Sequence, residues 1–104
     1  PFEIHFNSAA SIATGIEVLS KSNKKKFAQM LAKAVQKATG LTLRGEAGWK
    51  ADDAGKHHRL AFCDAGGVIL EVCFANNPND VTKYRSNFAS IVENIVAGFK
   101  AGAF

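Results

Sequence analysis

The sequence predicts an α/β fold, a mixed sheet flanked by helices, and three observations carry that prediction. Residues 2–6 alternate, with Phe2, Ile4 and Phe6 on one face and Glu3 and His5 on the other, as a half-covered strand does. Further on, Phe27, Met30, Leu31, Ala34, Val35 and Ala38 fall at i, i+3, i+4, i+7, i+8 and i+11, one apolar stripe of an amphipathic helix. Residues 67–74 (GVILEVCF) then form a nearly continuous apolar run, the pattern of a strand covered on both faces. Strands that alternate with amphipathic helices around a doubly covered strand define a layered α/β domain.

Each element follows in order. The first strand continues toward Asn7, and the small polar residues 8–14 form a loop. A second short strand is expected at Gly15–Leu19, with Glu17 inside it. Ser22 or Asn23 can cap the first helix, and Gly40 supplies the residue that ends it. Residues 44–58 hold three Gly, the adjacent Asp52 and Asp53 and the single Trp, and read as a long exposed loop. Leu60–Cys63 reads as a short strand before the apolar run. Asn77-Pro78-Asn79-Asp80 is a helix start, with Pro at the first helical position and an acid two residues later. Phe88, Ile91, Val92, Ile95 and Phe99 give the last helix its spacing.

The chain has 104 residues, 47% hydrophobic and 21% charged, which is globular rather than disordered and too short for two domains. Chains of about this size bury about two-thirds of their surface, enough for one core. No apolar run approaches the roughly 18 residues of a membrane span, so a soluble domain is expected. No signal peptide opens the chain, although a sequence starting at Pro1 says little about what precedes it. The net charge of +4 draws the chain toward polyanions, among which nucleic acid, acidic lipid and anionic bacterial cell wall all qualify. Nucleic acid is not expected, because no aromatic side chains interleave with Lys21, Lys24, Lys25, Lys26, Lys33 and Lys37. Those lysines read as a solvated helix face. Cys63 and Cys73 lie in apolar surroundings outside any CxxC and read as buried reduced thiols.

Chemistry concentrates in a few residues. Glu71 stands in the middle of the apolar run, with Ile69 and Cys73 as same-face neighbours and no Lys or Arg within the run. Burying a carboxylate costs several kcal/mol or favours its protonated form. That environment suits a general acid/base, unless the strand end emerges into solvent or a partner such as Arg59 neutralises it. His5 shares a strand face with Glu3 and Asn7, and beside a buried Glu it would suit metal-assisted hydrolysis. His57 and His58 are adjacent, point oppositely on an extended chain, and make a poor clamp.

Taken in order, these segments resemble a family. They are Ile4-His5-Phe6-Asn7-Ser8-Ala9, Thr14-Gly15-Ile16-Glu17-Val18, the Lys/Ala-rich helix ending Ala38-Thr39-Gly40-Leu41, then Arg44-Gly45 and Arg59-Leu60-Ala61-Phe62. The most specific is Ile69-Leu70-Glu71-Val72-Cys73-Phe74-Ala75-Asn76-Asn77-Pro78-Asn79-Asp80. The series resembles the zinc-dependent N-acetylmuramoyl-L-alanine amidases of type 3, which are cell-wall remodelling enzymes and phage endolysins. It implies an amidase fold lacking its N-terminal strand–helix portion, with the whole chain, residues 1–104, as one partial catalytic domain. It implies zinc as cofactor and peptidoglycan as substrate, cleaved between N-acetylmuramic acid and L-alanine. His5 matches the last zinc ligand and Glu71 the catalytic acid/base that moves the proton of a zinc-polarised water, while Asn7 is a candidate for substrate binding.

The family's other His ligand and its Glu ligand lie in the earlier portion. Here nothing replaces them convincingly: Glu3, Glu17, His57 and His58 are candidates by residue type alone, and one His cannot hold a catalytic zinc. The chain is therefore expected to be inactive alone and to partner with the missing half of the domain or with a second chain. Its place of action would be the periplasm or the outside of the cell, after synthesis in the cytoplasm if it is an endolysin. Two rival readings remain: a non-catalytic wall-binding or regulatory fragment, and a tautomerase that uses Pro1 as base.

Overall fold

The structure, a computed structural model, describes residues 2–9, 12–51 and 60–101. Four strands form one sheet: β1 (Phe2–Asn7), β2 (Glu17–Ser20), β3 (Trp49–Ala51) and β4 (Val68–Phe74). Their spatial order is β1-β4-β2-β3, with β1 parallel to β4, β4 antiparallel to β2, and β2 parallel to β3. The helices are α1 (Lys25–Thr39), α2 (Leu60–Asp64), α3 (Pro78–Ser86) and α4 (Phe88–Lys100). The mixed, helix-flanked sheet expected from the sequence is present.

All seven residues of β4 are buried, as its apolar run requires, because helices pack on one face and further chain lies on the other. Ile16, Val18, Leu70 and Val72 meet Leu31 and Val35 of α1 and Ile91 and Ile95 of α4 in the main core. On the opposite face, Leu19, Ile69 and Cys63 form a small second cluster with Phe62. A bulge in the β1–β4 register decides the end of β4. His5 pairs with Glu71, but Asn7 pairs with Phe74, so Cys73 turns into the main core. The expected same-face relation of Cys73 to Glu71 is therefore broken by one residue of register. No disulfide joins Cys63 and Cys73, which are both buried thiols separated by the sheet.

Several expectations are corrected. Leu60–Asp64 is a short helix rather than a strand, since a four-residue apolar run carries no period that separates the two. Its end is closed by backbone bonds from Gly66 to Cys63 and from Gly67 to Phe62. Trp49–Ala51, read as loop, adds a strand to β2, and the indole Nε1 donates to Ser20 Oγ at 2.9 Å. Ser22–Lys24 form a 3₁₀ turn, and no side chain caps α1. The stripe of α1 that is fully buried runs through Ala28, Leu31, Ala32, Val35 and Thr39, because the two alanines let the helix approach the sheet closely. Ile4 and Phe6 are exposed by 54% and 47%, since β1 is an edge strand and its apolar face extends past the helices. Gly40 ends α1 as expected, at φ 74 with its N–H bonded to the Gln36 carbonyl. Asn77 caps α3 by accepting from the Asp80 N–H at 3.1 Å, with Pro78 in the first turn.

Candidate active site

Two registers align one row of side chains across three strands. His5 of β1 is opposite Glu71 of β4, and Glu71 is opposite Glu17 of β2. Registered neighbours share a sheet face at roughly 5 Å between Cα atoms, and here that face is the one away from α1 and α4. Glu71, 1% exposed, sits in the centre of the row, and among the described residues no hydrogen bond reaches its Oε2 atom. His5 is half exposed, and its Nε2 meets Glu3 Oε1 at 2.9 Å. With the proton on Nε2 and donated to Glu3, Nδ1 keeps its lone pair, the form a metal-binding imidazole takes.

Glu17 has both oxygens engaged. Asn7 Nδ2 donates to Oε1 at 3.0 Å and Arg44 Nε donates to Oε2 at 3.2 Å. Its carboxylate is thus a strut between β1 and the segment after α1. Asn7 lies beside the row with its amide committed at both ends, since Oδ1 accepts from the Ser8 N–H at 2.9 Å. Asn7, Glu17, Leu19, Arg44, Lys50 and Phe74 line a cleft of about 220 Å³ next to the row. The Arg44 guanidinium lies 4.8 Å over the Phe74 ring and also donates through Nη1 to the Thr14 carbonyl at 3.2 Å.

Sequence reasoning missed two positioning groups. The sequence marks Asp80, which is fully buried, only as a first-turn acid. Its carboxylate accepts from the N–H groups of Gly15 and Phe74, each at 3.0 Å, and from the Thr14 hydroxyl. It therefore ties the entry of β2 to the bulged end of β4. Arg44 enters the sequence pattern only as part of the Arg44-Gly45 motif. The signal available for both was a charged residue next to a glycine or a turn, too common to single out. Cys73 contacts this group indirectly: burial, reinforced by the Asp80 charge, pushes its thiol up to about 11.

His57, His58 and Arg59 lie outside the described residues, as does Pro1. Among the described residues no group of three His, Cys, Asp or Glu side chains is placed to hold a metal ion. The donor chemistry of His5 suits zinc, but the described side chains do not together fit a zinc centre, which takes three protein ligands. No described helix is long and apolar enough to cross a membrane.

The row thus sets a buried glutamate, Glu71, against the half-exposed His5 on one face of the sheet. The sequence profile of the N-acetylmuramoyl-L-alanine amidases matches residues 2–101, and the chain belongs to that family. Solved structures agree. An N-acetylmuramoyl-L-alanine amidase assigned in Neisseria meningitidis is 42% identical with a TM-score of 0.83, over 97% of this chain and 57% of that one. The catalytic domain of CwlV, the amidase of Bacillus (Paenibacillus) polymyxa var. colistinus, is 26% identical with a TM-score of 0.71, over 98% and 56%. The catalytic domain of the CD27L endolysin, which targets Clostridia difficile, is 26% identical with a TM-score of 0.61, over 92% and 53%. No curated protein matches by sequence. The chain thus spans little more than half the length of the structures it resembles.

Proposed function

We propose that this chain is the part of a peptidoglycan amidase that carries the acid/base, and that the enzyme cleaves the amide between N-acetylmuramic acid and L-alanine. The single observation that supports it most is the registered row in which buried Glu71 stands beside half-exposed His5. Glu71 takes the proton of the attacking water and returns it to the departing L-alanine nitrogen, without which the amine is a poor leaving group. Glu17, held by Asn7 and Arg44, keeps β1 and β2 aligned on either side of Glu71. His5 would contribute one ligand to zinc, with Glu3 orienting its ring. The other ligands would come from chain beyond the described residues. The free edge of β1, with Ile4 and Phe6 exposed beside it, is where a further strand–helix unit of the domain would pack. The place of action is the bacterial cell wall, in the periplasm or outside the cell.

The test supplies the missing portion in trans, taken from the Neisseria amidase, and follows release of stem peptide from purified peptidoglycan. This chain alone is expected to release none, and the complemented assembly to release it. Glu71→Gln, which keeps shape while removing the base, should lower the rate about a hundredfold to ten-thousandfold. His5→Ala should lower the zinc retained by the assembly, read by elemental analysis. Full activity of Glu71→Gln would falsify the assignment. Binding of the wall without turnover by the complemented assembly would favour a wall-binding fragment instead.

A further inference from the structure

We propose that the cleft beside Glu71 is a carboxylate-binding subsite, with Arg44 and Lys50 as its cationic groups and a free carboxylate of the stem peptide as its ligand. The inference rests on the amidase reading and adds a substrate preference to it. The cleft holds about 220 Å³, room for a carboxylate and its neighbouring carbons and below the range of most pockets for larger ligands. Its charge balance is positive: Arg44 and Lys50 face one carboxylate, Glu17, whose two oxygens are already taken by Asn7 and Arg44.

Arg44 is set in place before any ligand arrives. Nε is held by Glu17, Nη1 by the Thr14 carbonyl, and the guanidinium plane rests against Phe74. Among the described residues no hydrogen bond engages Nη2. An ordered guanidinium with donors to spare binds a planar carboxylate with little further entropy loss. Leu19 and Phe74 supply apolar lining, which strengthens a charge-assisted bond made there. Lys50, exposed on β3 next to Leu19, offers a second charge on the open side.

Position makes the subsite relevant to the substrate. Glu17 lies directly opposite Glu71, and Asn7 stands two residues beyond His5, so the cleft begins about one strand spacing from the acid/base. An extended peptide advances about 3.5 Å per residue. A carboxylate on the residue after L-alanine therefore reaches the cleft when the scissile amide lies at Glu71. The subsite would distinguish a free carboxylate at that position from its amide.

The experiment is a titration of this chain, followed by nitrogen-15 NMR, with N-acetylmuramoyl-L-alanyl-D-glutamate and with its D-isoglutamine counterpart. The acid is expected to bind about tenfold more tightly than the amide, with shifts centred on the Arg44 side chain, Lys50 and Asn7. Lys50→Gln, its folding checked by circular dichroism, should reduce that preference severalfold. Equal affinity for both peptides, or shifts confined to another surface, overturns the subsite and leaves the amidase reading intact. Binding of neither peptide also overturns it, while hydrolysis in the complemented assembly judges the amidase reading separately.

Discussion

Asp80 shows how much one buried carboxylate can organise. Three donors from two separate segments converge on it, so its removal leaves the Gly15 and Phe74 N–H groups buried without acceptors. Asp80→Ala should cost about 3 kcal/mol or more in urea unfolding, with Asp80→Asn intermediate because one oxygen still accepts. The same neighbourhood sets the behaviour of Cys73. Its thiol is raised from 9.0 to about 11, so the neutral form is favoured in the fold. In the unfolded chain the thiol ionises first, hence stability is full below about pH 9 and falls by on the order of 2 kcal/mol as pH rises to about 11. Chemical denaturation at pH 8 and pH 11, compared with Cys73→Ala, checks this. The pH-dependent loss should shrink in the variant.

The elements explain which readings succeeded. The β4 run and the helix start at Asn77–Asp80 were legible because each depends on composition local to it. The strand at Trp49–Ala51 was not, because its stability comes from pairing with β2 rather than from any alternation of its own. The α2 segment failed for want of length. Two glycines separate local from tertiary demands. At Gly40 a Cβ would meet nothing within 4 Å, so Gly40→Ala should cost only the left-handed backbone, about 1 kcal/mol. At Gly48, with φ 92, the added Cβ would strike the Ala32 side chain as well. Gly48→Ala should therefore lower the melting temperature clearly more than Gly40→Ala, and equal shifts would argue against close packing of that loop on α1.

For the whole molecule, the site was half legible. Glu71 and His5 stood out because a charge in an apolar strand and a polar strand face are anomalies in one dimension. Their alignment, the strut made by Glu17 and the clamp on Arg44 arise from strands brought together from distant parts of the chain, which no spacing rule reports. The apolar surface has the same origin. Phe6 packs edge-on to Tyr84 and Tyr84 to Phe88, and Phe2 stacks on Phe99, yet Ile4, Phe88, Val92 and Phe99 remain substantially exposed. Ile4→Lys should change the stability of this chain by no more than about 0.5 kcal/mol, as exposed positions do. It should nonetheless weaken association with the complementing segment, measured by analytical ultracentrifugation.

The place of β1 in the sheet has a consequence for how the chain acquires its chemistry. β1 precedes the other described strands but pairs in the sheet only with β4, the last of them, and it does so in parallel, so no local hairpin can form it early. His5 and Glu71 therefore meet only when the long stretch of chain between them closes into a loop. During synthesis the chain passes through most of its length with His5 and Glu71 apart, and a nascent or partly unfolded molecule does not hold the row that the proposed chemistry needs.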